Sequence, residues 1–81
     1  MTETPTPDAE IDTCGLLCPL PVLKARKRLQ AMSEGAVLLM RADDPAARVD
    51  VPHFCLEQGH TLVCEADLEG GVLEFVIRKG G

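Results

Sequence analysis

The chain has 81 residues, below the usual domain size of about 100–150, so a second hydrophobic core is excluded. Its net charge of −5 argues against affinity for phosphate backbones, and two Phe with no Tyr or Trp are too few rings for a base-stacking platform, so direct nucleic-acid binding is not expected. No apolar run reaches the roughly 18–20 residues that cross a bilayer, and the acidic, Pro-rich start fits neither a secretory leader nor a transit peptide, so a cytoplasmic setting with reduced thiols is expected.

Residues 1–8 read as a frayed tail, which leaves 9–81 as one domain. Ala9 to Cys14 alternates as a short strand ended by Gly15. Pro19 then opens a helix, at a position where a missing N–H costs nothing. Val22, Ala25, Leu29 and Met32 recur at helical spacing as an apolar stripe, with Lys24, Lys27, Arg28 and Ala31 opposite and Gly35 as the stop. Ala36 to Met40 is continuously apolar and predicts a central strand. Asp43-Asp44-Pro45 caps a second helix that runs to Gln58 before Gly59, and Pro52 predicts a kink or two pieces meeting near Asp50-Val51. Thr61 to Ala66 alternates with Leu62, Cys64 and Ala66 inward, and Gly70-Gly71 marks a hairpin turn. Val72 to Lys79 alternates with Leu73, Phe75 and Ile77 inward and Glu74 and Arg78 outward. The order βαβαββ predicts a two-layer α/β sandwich, a four-stranded mixed sheet with two helices on one face.

The chemistry-bearing segment is Asp12-Thr13-Cys14-Gly15-Leu16-Leu17-Cys18-Pro19-Leu20-Pro21. Cys18 stands at or beside the N-cap of the first helix, where the helix dipole favours an anion, so a depressed thiol pKa is expected. No acid lies beside Cys18 in sequence to oppose ionisation. Pro19 and Pro21 withhold two amides but stiffen the turn. Leu16, Leu17 and Leu20 supply an apolar rim suited to docking another protein.

The pattern Asp12-x-x-Gly15-Leu16-x-Cys18-Pro19-x-Pro21 resembles the hallmark of the TusA/SirA-like family of small sulfur carriers. The likeness continues through Ala42-Asp43-Asp44-Pro45-Ala46, Phe54-Cys55 and the ending Ile77-Arg78-Lys79-Gly80-Gly81. The resemblance implies the same βαβαββ sandwich, and it implies that Cys18 carries persulfide sulfur, with Gly15, Pro19 and Pro21 shaping its turn. It further implies a donor of the cysteine desulfurase or rhodanese type and an acceptor sulfurtransferase, in tRNA thiolation, molybdenum cofactor assembly or sulfur oxidation. Cys14 departs from the family pattern. It reads either as a strand-end core cysteine or as a resolving thiol for Cys18.

The remaining candidates have plainer explanations. Cys55 and Cys64 read as core packing. The cysteines include no C-x₂-C pair, and His53 and His60 do not pair at ligand spacing, so no metal site is expected, nor any organic cofactor. Lys24, Arg26, Lys27 and Arg28 hold half of the eight basic residues; they are a solvated helix face or a docking patch for an acidic partner. Asp43 and Asp44 need no role beyond capping. The expected function is a monomeric sulfur carrier acting through Cys18. The alternatives are a non-catalytic binding module built on the Cys18-Pro19-Leu20-Pro21 turn and a Cys14/Cys18 thiol–disulfide switch.

Overall fold

The computed structural model describes residues 5–81. Its elements are β1 (Ala9–Asp12), α1 (Leu20–Gln30), β2 (Val37–Ala42), α2 (Ala47–Gln58), β3 (Thr61–Asp67) and β4 (Leu73–Arg78), with a 3-10 turn at Glu69–Gly71. The strands lie in the order β1-β2-β4-β3, with β1 parallel to β2 and β4 antiparallel to both its neighbours. This is the expected four-stranded mixed sheet with two helices.

Period-two alternation decides which side of the sheet the helices cover. Leu38, Met40 and Ala42 of β2 pair with Ile77, Phe75 and Leu73 of β4, and all six are buried on one face. Ala25 and Leu29 from α1 and Val51, Phe54 and Cys55 from α2 close the core over them. Fully burying a side chain such as Leu29 or Phe75 contributes about 1.5–3 kcal/mol. The other face carries Leu39 and Val76 in register, and Arg41 between Glu10 at 3.8 Å and Glu74 at 3.2 Å. No helix among the described residues is long and apolar enough to cross a membrane.

Several local expectations are corrected. The first strand stops at Asp12; Thr13 N–H still donates to Arg41 O of β2, and the chain turns at Cys14 and Gly15. Of the expected tail, residues 1–4 lie outside the described residues, and Asp8 is held by β2: its N–H donates to Val37 O and its carboxylate accepts the Val37 N–H, both at 2.8 Å. Helix α1 ends at Gln30 with Ala31 as C-cap, so Gly35 is not its stop. Gly35 instead takes a left-handed φ of 85° in the turn that leads into β2. Helix α2 runs continuously through Pro52, so of the expected kink or two separate pieces the second is overturned. The ring forfeits one amide in the second turn, and burial of Val51, Phe54 and Cys55 around it outweighs that loss.

Cys64 is also corrected, since it is exposed and not core. The register of β3 shifts between Leu62, opposite Ile77, and Cys64, opposite Val76. Val63 is the extra residue of this bulge, and one inserted residue moves the following side chains to the other face. Cys64 therefore shares the helix-free face with Val76. Cys55 is buried as expected.

Candidate functional site

The segment between β1 and α1 is held from both ends. Thr13 is completely buried; its Oγ1 donates to Arg41 O at 2.6 Å and its N–H to the same carbonyl at 2.8 Å. Gly15 follows with a φ of 87°, a left-handed turn that favours glycine. The Cys18–Pro19 peptide bond is cis. Pro19 is the N-cap, so Cys18 lies one position outside it and not on the cap itself. Pro19 and Pro21 have no N–H, and the Leu20 N–H donates to Leu17 O at 2.9 Å. Among the described residues, Val22 N–H is the one amide of the first turn left without a backbone acceptor, so the helix end offers a sulfur anion a single donor.

What surrounds Cys18 instead is carboxylate. The Cys18 N–H donates to Asp44 Oδ2 at 2.7 Å, and its Sγ–H donates to Asp50 Oδ2 at 2.8 Å. Asp44 Oδ1 accepts the Ala46 N–H at 3.0 Å, and Asp43 Oδ1 accepts the Gly15 N–H at 2.9 Å. The expected depressed thiol is thus overturned. The hydrogen bond to Asp50, then desolvation, then the charges of Asp50 and Asp44 hold the Cys18 thiol above its ordinary value. Asp44 is held below the usual carboxylate range by the N–H groups of Cys18 and Ala46. The pair Asp43 and Asp44 does more than start a helix, because it grips the Cys18 loop.

Cys18 is exposed and lines a cavity of about 200 Å³ with the N-cap Pro19, Val22 from α1 and Asp50, His53, Phe54 and Glu57 from α2. His53 Nε2 pairs with Glu57 at 3.1 Å. Leu17, Leu20 and Leu23 are exposed large hydrophobics, at 71%, 48% and 48%, while Leu16 is half-buried. Leu23 was not picked out from the sequence. Lys24, Arg26, Lys27 and Arg28 are all exposed. Lys24, Lys27 and Arg28 line a separate groove with Ile11 and Ala31, which shares no residue with the Cys18 cavity. Cys14 is a half-buried free thiol whose N–H donates to Asp12 Oδ1 at 2.9 Å. Desolvation, then hydrogen bonding to Asp12, pushes its thiol up. Among the described residues no three His, Cys, Asp or Glu side chains converge as metal ligands.

Asp44 and Asp50 are the site residues that sequence reading missed. They stand 26 and 32 positions beyond Cys18, a separation that no local spacing rule reaches. The family model for the sulfurtransferase TusA matches residues 9–79. The chain belongs to the TusA sulfurtransferase family. The crystal structure of a SirA-like protein from Desulfitobacterium hafniense is similar over 90% of this chain and 99% of that one, at 28% identity and a TM-score of 0.80. Membership in this family assigns a sulfur-carrier or sulfurtransferase role in general terms, which is work done together with other proteins.

Proposed function

We propose that the protein is a cytoplasmic, monomeric persulfide carrier on which Cys18 receives sulfane sulfur from one protein and passes it to another. The observation that carries this reading is the exposed Cys18 sulfur on a loop pinned by Asp43 and Asp44, in a chain of a sulfurtransferase family. The loop holds the sulfur at the protein surface, within reach of larger enzymes. Gly15, Pro19 and Pro21 shape the turn that presents it. Leu17, Leu20 and Leu23 are an apolar contact surface beside it, and Lys24, Arg26, Lys27 and Arg28 are a charged one.

In the loading step the Cys18 thiolate attacks the outer sulfur of a donor persulfide. The new S–S bond forms as the donor's own S–S bond breaks, and the donor leaves as a thiolate that takes up a proton. An acceptor thiolate then attacks the outer sulfur on Cys18, whose thiolate is the leaving group. Each exchange conserves electrons and needs no oxidant. The donor would be of the cysteine desulfurase or rhodanese type and the acceptor a further sulfurtransferase, in tRNA thiolation, molybdenum cofactor assembly or sulfur oxidation. Incubation with a protein persulfide donor is expected to add about 32 Da, one sulfur atom, to the wild-type chain. Cys18→Ser is expected to remove the adduct, and an adduct that persists in Cys18→Ser would sink the reading.

A further inference from the structure

The sulfur of Cys18 is exposed but hydrogen-bonded. It donates to Asp50 Oδ2 at 2.8 Å, across from the loop to the first turn of α2. Of the three carboxylates gathered at this loop, Asp43 and Asp44 are satisfied by backbone N–H groups. Asp50 differs. Its only hydrogen bond among the described residues is the one from the thiol, and no cation there lies within 4.0 Å of it. The other ionisable groups of the cavity are His53 and Glu57, which pair with each other, and α1 with its N-cap contributes only Val22 and Pro19. A carboxylate whose only charge complement is the N-terminal end of its own helix therefore stands against the sulfur, half-buried and open to a partner from the cavity side.

We propose that Asp50 is a positioning residue that holds Cys18 as the neutral thiol in the free protein, and that a partner presenting a cationic side chain to Asp50 releases the sulfur as thiolate. The inference rests on the carrier reading for its purpose and specifies how that site is controlled. A carboxylate accepts the thiol proton in a hydrogen bond and repels the charge that ionisation would create. A guanidinium or ammonium group bound to the same carboxylate removes that repulsion, and the proton departs to solvent. The free carrier is then slow to oxidise or to attack unselected electrophiles, and its nucleophilicity appears only inside a complex. Charge complementarity of this kind also selects the partner and speeds encounter.

The test reads iodoacetamide labelling of Cys18 against pH in the full chain, resolved by site with mass spectrometry. Wild-type Cys18 is expected to label with a midpoint above the free-thiol value of about 8.5, and a midpoint below it overturns the proposal. Asp50→Asn is expected to lower the midpoint and speed labelling at neutral pH about three- to tenfold, since one unit of thiol pKa is tenfold in thiolate. Asp50→Glu should keep labelling slow. Glu57→Gln removes a carboxylate of the same cavity that does not touch the sulfur; a shift equal to that of Asp50→Asn would assign the effect to general charge and overturn the proposal. Tetra-arginine amide, against sodium chloride of equal ionic strength, should speed labelling of wild-type Cys18 but not of Asp50→Asn, and should leave Cys64 unaffected. No acceleration of wild-type Cys18 overturns the cationic-partner half. An Asp50→Asn shift without a persulfide adduct on Cys18 keeps the thiol lock and removes the carrier reading, and an adduct without that shift does the reverse.

Discussion

The four cysteines occupy four different environments, and their order of reactivity follows from that. Cys64 is exposed on the helix-free face because of the bulge at Val63. Cys18 is exposed but bonded to Asp50, and Cys14 is half-buried with a raised thiol. Cys55 lies in the core, where burial pushes its thiol up to about 11. In native protein at neutral pH, Cys64 is expected to label first, then Cys18, then Cys14. Cys55 should label at least about a hundredfold more slowly, because the core around it must open first. Site-resolved mass spectrometry checks this order. Native labelling of Cys55 as fast as that of Cys64 would contradict the packing, and denaturant should abolish the differences.

Between elements, two glycines tie the end of the chain to the end of α2. Gly59 is the left-handed residue that closes α2, with a φ of 76°, and a Cβ on Gly80 would collide with the Gly59 carbonyl. The Gly80 N–H donates to His60 Nδ1 at 3.0 Å, and Lys79 Nζ donates to Met32 O at 2.6 Å. The chain after β4 thus locks α2 and the α1–β2 connection together. Gly59→Ala is expected to cost about 1–2 kcal/mol through its backbone conformation. Gly80→Ala should cost at least as much, because backbone must move to admit the methyl group. Urea unfolding at a fixed pH measures both, and a Gly80→Ala midpoint equal to wild type would refute the close approach.

Over the whole molecule, acid should act in two stages. Desolvation, then the charge of Lys79, holds the His60 imidazole below its ordinary value of 6.5. The unfolded chain takes up this proton first. The contribution of neutral His60 is therefore complete above pH 6.5 and is lost as pH falls through the folded value. Asp12 and Asp44 are held below the ordinary 3.8 chiefly by the N–H groups of Cys14 and Cys18. Their contributions are complete above pH 3.8 and are lost below it, as the Cys18 loop loses its anchors. The urea midpoint is expected to fall first below about pH 6.5 and again below about pH 3.8, with His60→Gln flattening the first stage. A wild-type midpoint constant between about pH 7 and 5 would contradict the assignment to His60.

The sandwich was legible in the residues because each signal for it is local. Alternation in Leu73, Phe75 and Ile77 identified the buried face of β4, the run through Leu38 and Met40 identified a central strand, and Gly59 marked the end of α2. Cys18 was legible for the same reason, since its prolines and glycine are its neighbours. Misreadings arose where a long-range contact overrode a local one. A bulge that no propensity announces turned Cys64 outward, core packing carried α2 through Pro52, and Gly35 serves the turn into β2 and not the helix before it. The charge state at the site belongs to this second group. From its neighbours alone Cys18 is a helix-capping thiol free to ionise. Only folding brings Asp44 and Asp50 against it from 26 and 32 positions away, and at hydrogen-bond range two carboxylates outweigh a helix end whose donors two prolines have thinned.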